Sequence, residues 1–381
     1  MIQPELHAVV AEHVFDGMTV HEDAAVIVHG AQIAQVVPRA DVPRNITVRL
    51  LPPGAWLAPG FIDLQVNGGG DVLFNDQPTL EGICTIAAAH RKFGTTGLLP
   101  TFMTDSCEKA RLALHAANAA VGQQPGILGI HLEGPYLSPE KPGVHDTRHI
   151  RRPKPDDVSM LTASRKGALL VTLAPEVVPP GFIAQLVAAD VRVSLGHSMA
   201  SYRQTGAAMA EGLRGFTHLF NAMRPLASRE PGPIAQALES TDASYGLIVD
   251  GVHVEPAMLR LALRGLGCPM LVTDAMPPVG GSRSRFTLHG ETITARNGHC
   301  VTDAGMLAGT VLDMATAVKN CIRLLGVSLP NALRLASAHP AKFLGLGHML
   351  GKLLPGYRAD LVAFDPNHMT VLATWVAGSG G

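Results

Sequence analysis

The sequence predicts an α/β protein in which a (β/α)8 barrel of the TIM type is joined to a small β-sandwich domain built from both chain termini. The first reason is that short apolar runs alternate with helical patterns along the middle of the chain, which is typical of a parallel sheet flanked by helices. The second reason is their number, because eight such runs within about 220 residues fit one closed barrel. The third is that both termini contain strand-like segments without helices. The predicted domains are residues 1–55 with 355–381, and residues 56–354.

Each terminus alone offers too few strands for a stable sheet, so we expect the two ends to build one small domain together. Its strands are predicted from segments of high β propensity that are bounded by turn-forming residues. They are Ala24–Val28, Gln32–Val37, Ile46–Leu51, Asp360–Phe364 and Met369–Val376.

The barrel strands are predicted from the apolar runs of the central region. They are Phe61–Val66, Gly97–Pro100, Ile127–Leu132, Leu169–Leu173, Val191–Leu195, Gly215–Thr217, Gly246–Val249 and Met270–Thr273. The clearest helical patterns are Leu80–Phe93, Glu108–Val121, Phe182–Asp190, Met199–Glu211, Pro256–Leu266, Val311–Leu325 and Asn331–Leu344. A hairpin is predicted over Phe286–Val301, around Asn297 and Gly298. A doubly wound sheet would need a glycine-rich phosphate loop after its first strand, and Asn67–Gly70 does not have that pattern.

Composition excludes several classes of protein. The 381 residues include 30 Lys and Arg against 31 Asp and Glu, a net charge of −1, which argues against nucleic acid or an anionic membrane as the main partner. Hydrophobic residues make up 47% of the chain, far too many for a disordered protein. The five cysteines form no C-x-x-C pair, and Met1–Val10 carries no basic residue before an apolar run. We therefore expect a reducing compartment, no secretory signal and a cytoplasmic location.

The residues that follow the barrel strands are the candidates for chemistry, because the C-terminal ends of barrel strands converge on one mouth. Glu133 follows the third run, His197 the fifth and His218 the sixth. One carboxylate and two imidazoles form a ligand set for a catalytic divalent ion that keeps a further position for water. Zinc is the expected ion, and iron, manganese and cobalt are alternatives. The competing interpretation of each residue alone is a polar side chain that caps a strand end.

Two more residues at the predicted mouth suit a hydrolytic reaction. Asp274 ends the eighth run, where a carboxylate beside a metal can take a proton from water and later deliver it to a leaving group. His145 lies in the loop after Glu133 and can polarise a substrate oxygen. Alone, Asp274 would be a structural residue that accepts hydrogen bonds from backbone amides, and His145 a surface histidine. Glu176, after the fourth run, receives no role.

Segments along nearly the whole chain resemble the amidohydrolase superfamily. Trp56–Asp63 resembles its entry to the first barrel strand, and Gly356–Val362 resembles its closing segment. The internal motifs resemble one family within it, the N-acetylglucosamine-6-phosphate deacetylases. In family order, these motifs are His131–Tyr136, Gly196–Ser198, Thr217–Met223, Arg229–Gly232, Asp250–His253 and Leu271–Ala275.

The resemblance implies metal-dependent hydrolysis of the acetamide of N-acetylglucosamine 6-phosphate to glucosamine 6-phosphate and acetate. In this family, Glu133, His197 and His218 would hold one divalent ion per subunit. Asp274 would act as general base and then general acid, and His145 would polarise the acetamide carbonyl. The resemblance also implies a homodimer. Substrate contacts are implied for Val144, His145, Asn221, Ala222, Arg229, His253, Leu307, Ala308 and Gly309.

The chain departs from the superfamily pattern at the end of the first barrel strand. Many members have His-x-His there, which holds a second metal, whereas this chain has Gln65 and Asn67. Neutral amides are poor ligands for a transition metal. We therefore expect a single ion, with the two amides forming hydrogen bonds near the vacant second-metal position.

Two alternative functions stay open at this point. The first keeps the reaction and changes the substrate to another N-acylated amino-sugar phosphate, such as N-acetylgalactosamine 6-phosphate. This sugar differs from N-acetylglucosamine in the configuration of one hydroxyl group. The second is a catalytically silent, amidohydrolase-like binding protein. Silent relatives are expected to lose metal ligands or the catalytic aspartate, and this chain has Glu133, His197, His218 and Asp274.

Overall fold

The computed structural model describes residues 6–163, 165–296 and 298–380. The chain divides into two compact units. One consists of Met1–Asp63, His90–Gly97 and Asp313–Gly381, and the other of Leu64–Ala89 and Leu98–Leu312. The domain boundaries after residues 55 and 354 stay a prediction. Within the described ranges, every helix is too short or too polar to cross a bilayer.

The strands of the described residues carry the labels used below. In chain order they are β1 (Leu6–Phe15), β2 (Val20–His29), β3 (Gln32–Pro38), β4 (Thr47–Leu50), β5 (Trp56–Pro59), β6 (Phe61–Val66), β7 (Gly68–Gly69), β8 (Val72–Leu73), β9 (Thr95–Met103), β10 (Gly129–Glu133), β11 (Ala168–Leu173), β12 (Arg192–Leu195), β13 (Gly215–Phe216), β14 (Ser244–Leu247), β15 (Cys268–Leu271), β16 (Arg285–Leu288), β17 (Glu291–Arg296), β18 (His299–Thr302), β19 (Leu307–Thr310), β20 (Leu361–Asp365), β21 (Thr370–Val376) and β22 (Ser379–Gly380).

The helices are labelled in the same way, and one short 3-10 helix, Arg39–Asp41, lies among the first strands. The α-helices are α1 (Leu80–Arg91), α2 (Cys107–Ala120), α3 (Asp157–Thr162), α4 (Phe182–Ala188), α5 (Tyr202–Ala210), α6 (Gly232–Glu239), α7 (Pro256–Ala262), α8 (Met314–Leu325), α9 (Leu329–Ala336) and α10 (Ala338–Phe343).

The two ends of the chain pair with one another, as predicted, and their strands form one sheet. Its strand order is β22-β21-β20-β5-β1-β2-β3, and β4 pairs with the first half of β1. The link between the two termini is the antiparallel pair of β5 with β20, in which Leu57 lies opposite Ala363. Strand β1 is central to this sheet and was absent from the sequence prediction. Its residues 8–11 are buried on both faces, Val9 in one apolar cluster and Val10 in another, so this part of β1 lacks the in–out alternation that marks a half-buried strand.

The predicted barrel is confirmed. Eight strands form one sheet in the order β6-β9-β10-β11-β12-β13-β14-β15, and the pairs between consecutive strands from β9 to β15 are parallel. The residues after β15 close the circle, because Asp274 N–H donates to Gln65 O at 3.0 Å and Asn67 N–H donates to Ala275 O at 2.9 Å. This closure brings the C-terminal end of the first barrel strand next to that of the last.

Several predicted elements differ from the observed ones by two to four residues at an end, and two differences concern the second barrel strand and the last predicted helix. The second barrel strand was expected to end at Pro100, but β9 continues to Met103, and its paired register with β10 begins at Thr101. The predicted helix Asn331–Leu344 is two helices, α9 and α10, which meet at the buried Ser337. Pro340 explains the break, since it cannot donate the hydrogen bond that a continuous helix would require. Helices α3 and α6 were not predicted.

The hairpin predicted over Phe286–Val301 belongs to a larger insert. Strands β16, β17, β18 and β19 form an antiparallel sheet, and Asn297 lies outside the described residues. The last of these strands joins the end of the barrel, because Thr310 N–H donates to Asp274 O at 3.0 Å and Met276 N–H donates to Thr310 O at 3.0 Å. The insert therefore places Leu307–Thr310 beside Asp274.

Candidate active site

Four of the predicted residues meet at the C-terminal ends of barrel strands. Glu133 is the last residue of β10, while His197 and His218 lie two residues beyond β12 and β13. Asp274 follows β15. The three predicted ligands are almost fully buried, with 2%, 6% and 4% exposure respectively. The barrel topology, rather than any sequence proximity, brings these side chains together.

The geometry of the three predicted ligands fits a metal ion. Glu133 Oε1 lies 3.0 Å from His218 Nε2 and 3.3 Å from His197 Nε2. The two Nε2 atoms are 3.2 Å apart. Donor atoms of a tetrahedral zinc site with bonds of about 2.0–2.1 Å are separated by about 3.3 Å, so these spacings match one shared ion. Within the described part of the chain, this is the one group of His, Cys, Asp or Glu side chains with ligand geometry.

Neighbouring groups orient the predicted ligands. The backbone carbonyl of Lys141 lies 2.9 Å from His197 Nδ1, so this nitrogen donates and leaves the Nε2 lone pair for a metal. Gly143, with φ of +55°, allows this approach, because a Cβ there would lie 3.2 Å from His197 Cε1. Burial alone would raise the pKa of Glu133, but the imidazoles of His197 and His218 beside its carboxylate hold this pKa well below its usual value. Glu133 is therefore anionic, which suits a metal ligand.

The backbone is strained at this cluster. His197, His218 and Asp274 have φ angles of +48°, +33° and +53°, in a region that residues other than glycine rarely occupy. Such conformations each cost on the order of 1–3 kcal/mol and are most common at functional sites. Their occurrence at three converging strand ends supports a functional role for these side chains.

The amides at the end of the first barrel strand hold the Asp274 carboxylate. Asn67 Nδ2 donates to Asp274 Oδ1 at 2.6 Å. Gln65 Nε2 donates to the same oxygen at 3.3 Å and to Glu133 Oε1 at 3.2 Å. Both amides thus act on Oδ1 and orient the carboxylate. Burial and the negative charge of Glu133 raise the pKa of Asp274 to about 6.

His145 faces the cluster from its loop. Its Nε2 lies 3.8 Å from Glu133 Oε2, and its ring centre lies 4.4 Å from that of His197. Thr104 contacts His145 Nδ1 with its N–H at 3.3 Å and with its Oγ1 at 3.0 Å, so Nδ1 faces Thr104 and Nε2 faces the cluster. Burial, followed by the neighbouring His197 ring, lowers the pKa of His145 well below its usual value. His145 is therefore a neutral imidazole whose Nε2 is aimed into the site.

A cavity of about 450 Å³ opens over the cluster. Besides Glu133, His145, His197, His218 and Asp274, its lining includes these predicted substrate contacts: Val144, Asn221, Ala222, His253, Leu307 and Gly309. His253 is fixed there by Asp250, whose carboxylate lies 2.6 Å from His253 Nδ1. Two predicted contacts lie elsewhere: Ala308 is fully buried outside the lining, and Arg229 is exposed. Gly309 must be glycine, since a Cβ would lie 2.7 Å from Met276 Cγ.

The sequence analysis missed several residues that support the site. Thr104 was missed because its strand was expected to end at Pro100. The contact from Lys141 to His197 was missed because a backbone carbonyl makes it, and the residue type does not reveal such a contact. Glu176, which received no role, accepts hydrogen bonds from Ser198 Oγ at 2.7 Å and Met199 N–H at 2.5 Å. It thereby holds the loop that follows His197.

The amidohydrolase family profile matches residues 56–380. This chain belongs to the amidohydrolase family. The resemblance predicted from Trp56–Asp63, Gly356–Val362 and the internal motifs is confirmed.

Several amidohydrolases are similar along most of their length. The chain is 43% identical over 330 residues to the N-acetylgalactosamine-6-phosphate deacetylase of Shewanella sp. (strain ANA-3), covering 84% of this chain and 82% of that relative. It is 36% identical over 362 residues to the N-acetylglucosamine-6-phosphate deacetylase of Haemophilus influenzae, covering 93% and 94%. Among solved structures, the N-acetylglucosamine-6-phosphate deacetylase from Pasteurella multocida matches with a TM-score of 0.95 at 35% identity, over 99% of each chain. These matches also confirm the barrel fold.

Proposed function

We propose that this amidohydrolase hydrolyses the acetamide of N-acetylglucosamine 6-phosphate to glucosamine 6-phosphate and acetate. The observation that carries the proposal is the convergence of Glu133, His197 and His218, at 3.0–3.3 Å from one another, beside Asp274. A carboxylate that exchanges protons next to a three-ligand metal site suits metal-dependent amide hydrolysis. All three amidohydrolases compared above are named deacetylases of amino-sugar phosphates.

An amide is a poor electrophile, and a metal ion is one means of activating it. Glu133, His197 and His218 would hold one divalent ion. When bound, that ion would supply a lowered pKa for water and a Lewis acid for the acetamide carbonyl. We propose zinc, because a carboxylate and two imidazoles are common zinc ligands, although iron, manganese and cobalt also accept them.

Asp274 would carry the proton through the reaction. As water attacks the acetyl carbon, the Asp274 carboxylate accepts a proton from it. When the C–N bond breaks, the same carboxyl group returns the proton to the departing amine nitrogen. Because Asn67 and Gln65 both donate to Oδ1, Oδ2 is the oxygen available for this exchange.

His145 would stabilise the negative charge that develops on the carbonyl oxygen. It would do so with a proton on Nε2, which faces Glu133, while Thr104 holds Nδ1. A buried donor with fixed orientation stabilises such a charge more than water does, because it needs no reorganisation during the reaction.

The rest of the substrate would occupy the cavity over the cluster. Its volume of about 450 Å³ suits a small molecule, and its polar lining includes Asn221 and His253. Arg229 would contact the phosphate, since a guanidinium forms paired hydrogen bonds with phosphate oxygens. Its exposed position is compatible with a group that completes the site from a loop.

A second substrate has a specific observation in its favour. The relative that shares 43% identity with this chain is named an N-acetylgalactosamine-6-phosphate deacetylase, whereas the Haemophilus influenzae N-acetylglucosamine-6-phosphate deacetylase shares 36%. The two sugars differ in the configuration of one hydroxyl group, and the same metal site and general base would serve both. We therefore propose N-acetylgalactosamine 6-phosphate as the alternative substrate.

We also propose a homodimer and a cytoplasmic location. The dimer rests on the resemblance to the deacetylases, a family whose members are commonly dimeric. The location rests on the cysteines, because Cys84, Cys107, Cys268, Cys300 and Cys321 are all free thiols.

The test is acetate release from both sugar phosphates by protein of known metal content. We expect turnover of at least one of them, loss of turnover after chelation, and recovery when a divalent ion is added back. Turnover that continues in metal-depleted protein contradicts the metal-dependent mechanism. No acetate from either sugar, despite a bound ion, contradicts the proposed substrates.

A further inference from the structure

A chain of hydrogen-bonded groups runs through the interior of the barrel. It begins at Val66 on β6, whose N–H donates to Thr101 Oγ1 at 2.9 Å. Thr101 Oγ1 lies 3.2 Å from His131 Nδ1, and His131 Nε2 lies 2.7 Å from Thr172 Oγ1. These groups belong to the consecutive strands β6, β9, β10 and β11, and all four residues are buried.

The chain then crosses the barrel. Thr172 Oγ1 lies 2.7 Å from Thr217 Oγ1, which donates to Ser194 Oγ at 2.8 Å. Thr172 is on β11 and Thr217 directly follows β13, and β12 separates these strands in the sheet. Side chains of strands that are not neighbours meet only across the interior. We call this set, from Val66 to Ser194, the interior polar chain.

The directions of three hydrogen bonds in the interior polar chain follow from one donor. Thr217 uses its single hydroxyl proton on Ser194, so it accepts from Thr172. Thr172 has then used its own proton and accepts from His131 Nε2–H. Thr172 and Thr217 therefore each donate once and accept once, and a buried network of this kind fixes its members in one arrangement.

Each metal-ligating strand carries a member of the interior polar chain close to its ligand. His131 precedes Glu133 by two residues on β10, and Ser194 precedes His197 by three. Thr217 directly precedes His218, whose φ of +33° is strained. Thr172 lies on β11, the strand between β10 and β12, which supplies no predicted ligand. Its backbone also takes part, since Gly134 N–H donates to Thr172 O at 3.0 Å directly after Glu133.

We infer that Thr172 is a positioning residue that holds Glu133, His197 and His218 in metal-binding geometry through the interior polar chain. This inference rests on the metal centre of the proposed function. Three ligands with separations of 3.0–3.3 Å require fixed strand ends, and the ligand strands are joined across the barrel through the Thr172 hydroxyl group. Groups that orient metal ligands from behind typically contribute about 10–100-fold to metal affinity.

The test compares zinc affinity and melting temperature in the full-length wild type and three variants. Thr172→Val removes the central hydroxyl group at nearly constant volume. Thr172→Ser keeps it. Thr205→Val is the matched control, because the Thr205 side chain is equally buried and its hydroxyl group donates to the Ser201 carbonyl at 2.9 Å within helix α5. Zinc dissociation constants are measured by competition with a chelator, which needs no enzymatic activity.

We expect the zinc dissociation constant of Thr172→Val to rise about 10–100-fold and that of Thr172→Ser to stay within about threefold of wild type. Thr205→Val should lower the melting temperature without changing zinc affinity. If Thr172→Val does not fold, Ser194→Ala tests the end of the interior polar chain, with a rise of about 3–10-fold expected.

The positioning role is contradicted if Thr172→Val binds zinc with wild-type affinity while its melting temperature falls. Where Ser194→Ala replaces that variant, the same result in Ser194→Ala contradicts the role. Either result leaves the proposed metal centre intact. A wild-type protein that binds no zinc contradicts the metal centre itself, and the positioning role with it. The two failures are therefore distinguishable.

Discussion

The ends of β10, β12 and β13 differ chemically from the end of the first barrel strand, although all of them open onto the same mouth. The first group presents a carboxylate and two imidazoles whose donor atoms lie 3.0–3.3 Å apart. The first strand instead presents the amides of Gln65 and Asn67, whose N–H groups point at carboxylates. One region offers lone pairs to a cation and the other offers protons to an anion. Strand ends at one mouth can therefore suit opposite charges: three are arranged to fit a cation, and the first orients the Asp274 carboxylate.

The largest effect is expected from removing a ligand. His218→Ala should lose the bound ion, and acetate release should fall to background, because two of the three donors do not hold a divalent ion firmly. Metal analysis of the purified variant, together with an acetate assay, checks this. His115→Ala on the exposed face of α2 is the control and should match wild type. An ion retained at wild-type occupancy in His218→Ala argues against the assigned ligand set.

The next effect concerns the general base. Asp274→Asn should lower kcat by about 10²–10⁴-fold, because the amide cannot accept the proton of the attacking water. Metal content should stay at the wild-type level, since Asp274 is not one of the three ligands. Steady-state kinetics and metal analysis test both halves, with the exposed Asp242→Asn as control. A variant with most of its activity intact would exclude Asp274 as the base.

A smaller effect is expected at His145. His145→Leu removes the Nε2–H donor and should lower kcat by about 10²–10³-fold, as loss of one oxyanion donor does elsewhere. The bound ion should remain, because His145 Nε2 lies 3.8 Å from Glu133 Oε2 and outside the ligand triangle. His149→Leu, later in the same loop, serves as control. Unchanged kcat in His145→Leu would mean that the carbonyl oxygen is stabilised by other groups.

The smallest effects are expected at the amides, and they test the comparison itself. Asn67→Ala removes a 2.6 Å hydrogen bond to a carboxylate and should lower kcat by about 10–100-fold. Gln65→Ala removes contacts of 3.2 and 3.3 Å and should lower it by less than about tenfold. Steady-state kinetics and metal analysis of both variants test these two expectations. Loss of the ion from either variant would show that the amides belong to the metal site.

Much of the barrel and its ligand set was predictable because both depend on local pattern. A parallel strand buried on both faces is a short apolar run, and a polar residue directly after it marks the mouth. Glu133, His197 and His218 stood out for that reason. Asp274 was found in the same way after the last run.

Other features depend on distant partners and could not be predicted. Strand β1 is central to the terminal sheet, but its partners come from β2, β4 and β5, and its two buried faces remove the alternating pattern. Thr172 and Thr217 are unremarkable threonines until the barrel closes and places their hydroxyl oxygens 2.7 Å apart. Arg229 is the opposite case. Its sequence motif was recognisable, but its exposed position depends on how the loop folds.

The most direct test of the account is the number of divalent ions per chain. Metal-free protein is dialysed to equilibrium against zinc, and metal and protein are then quantified in the same sample. The account predicts about one ion per chain in the wild type and none in His218→Ala, because Gln65 and Asn67 donate hydrogen bonds instead of binding a second ion. Two ions per chain, or equal occupancy in wild type and His218→Ala, would contradict it.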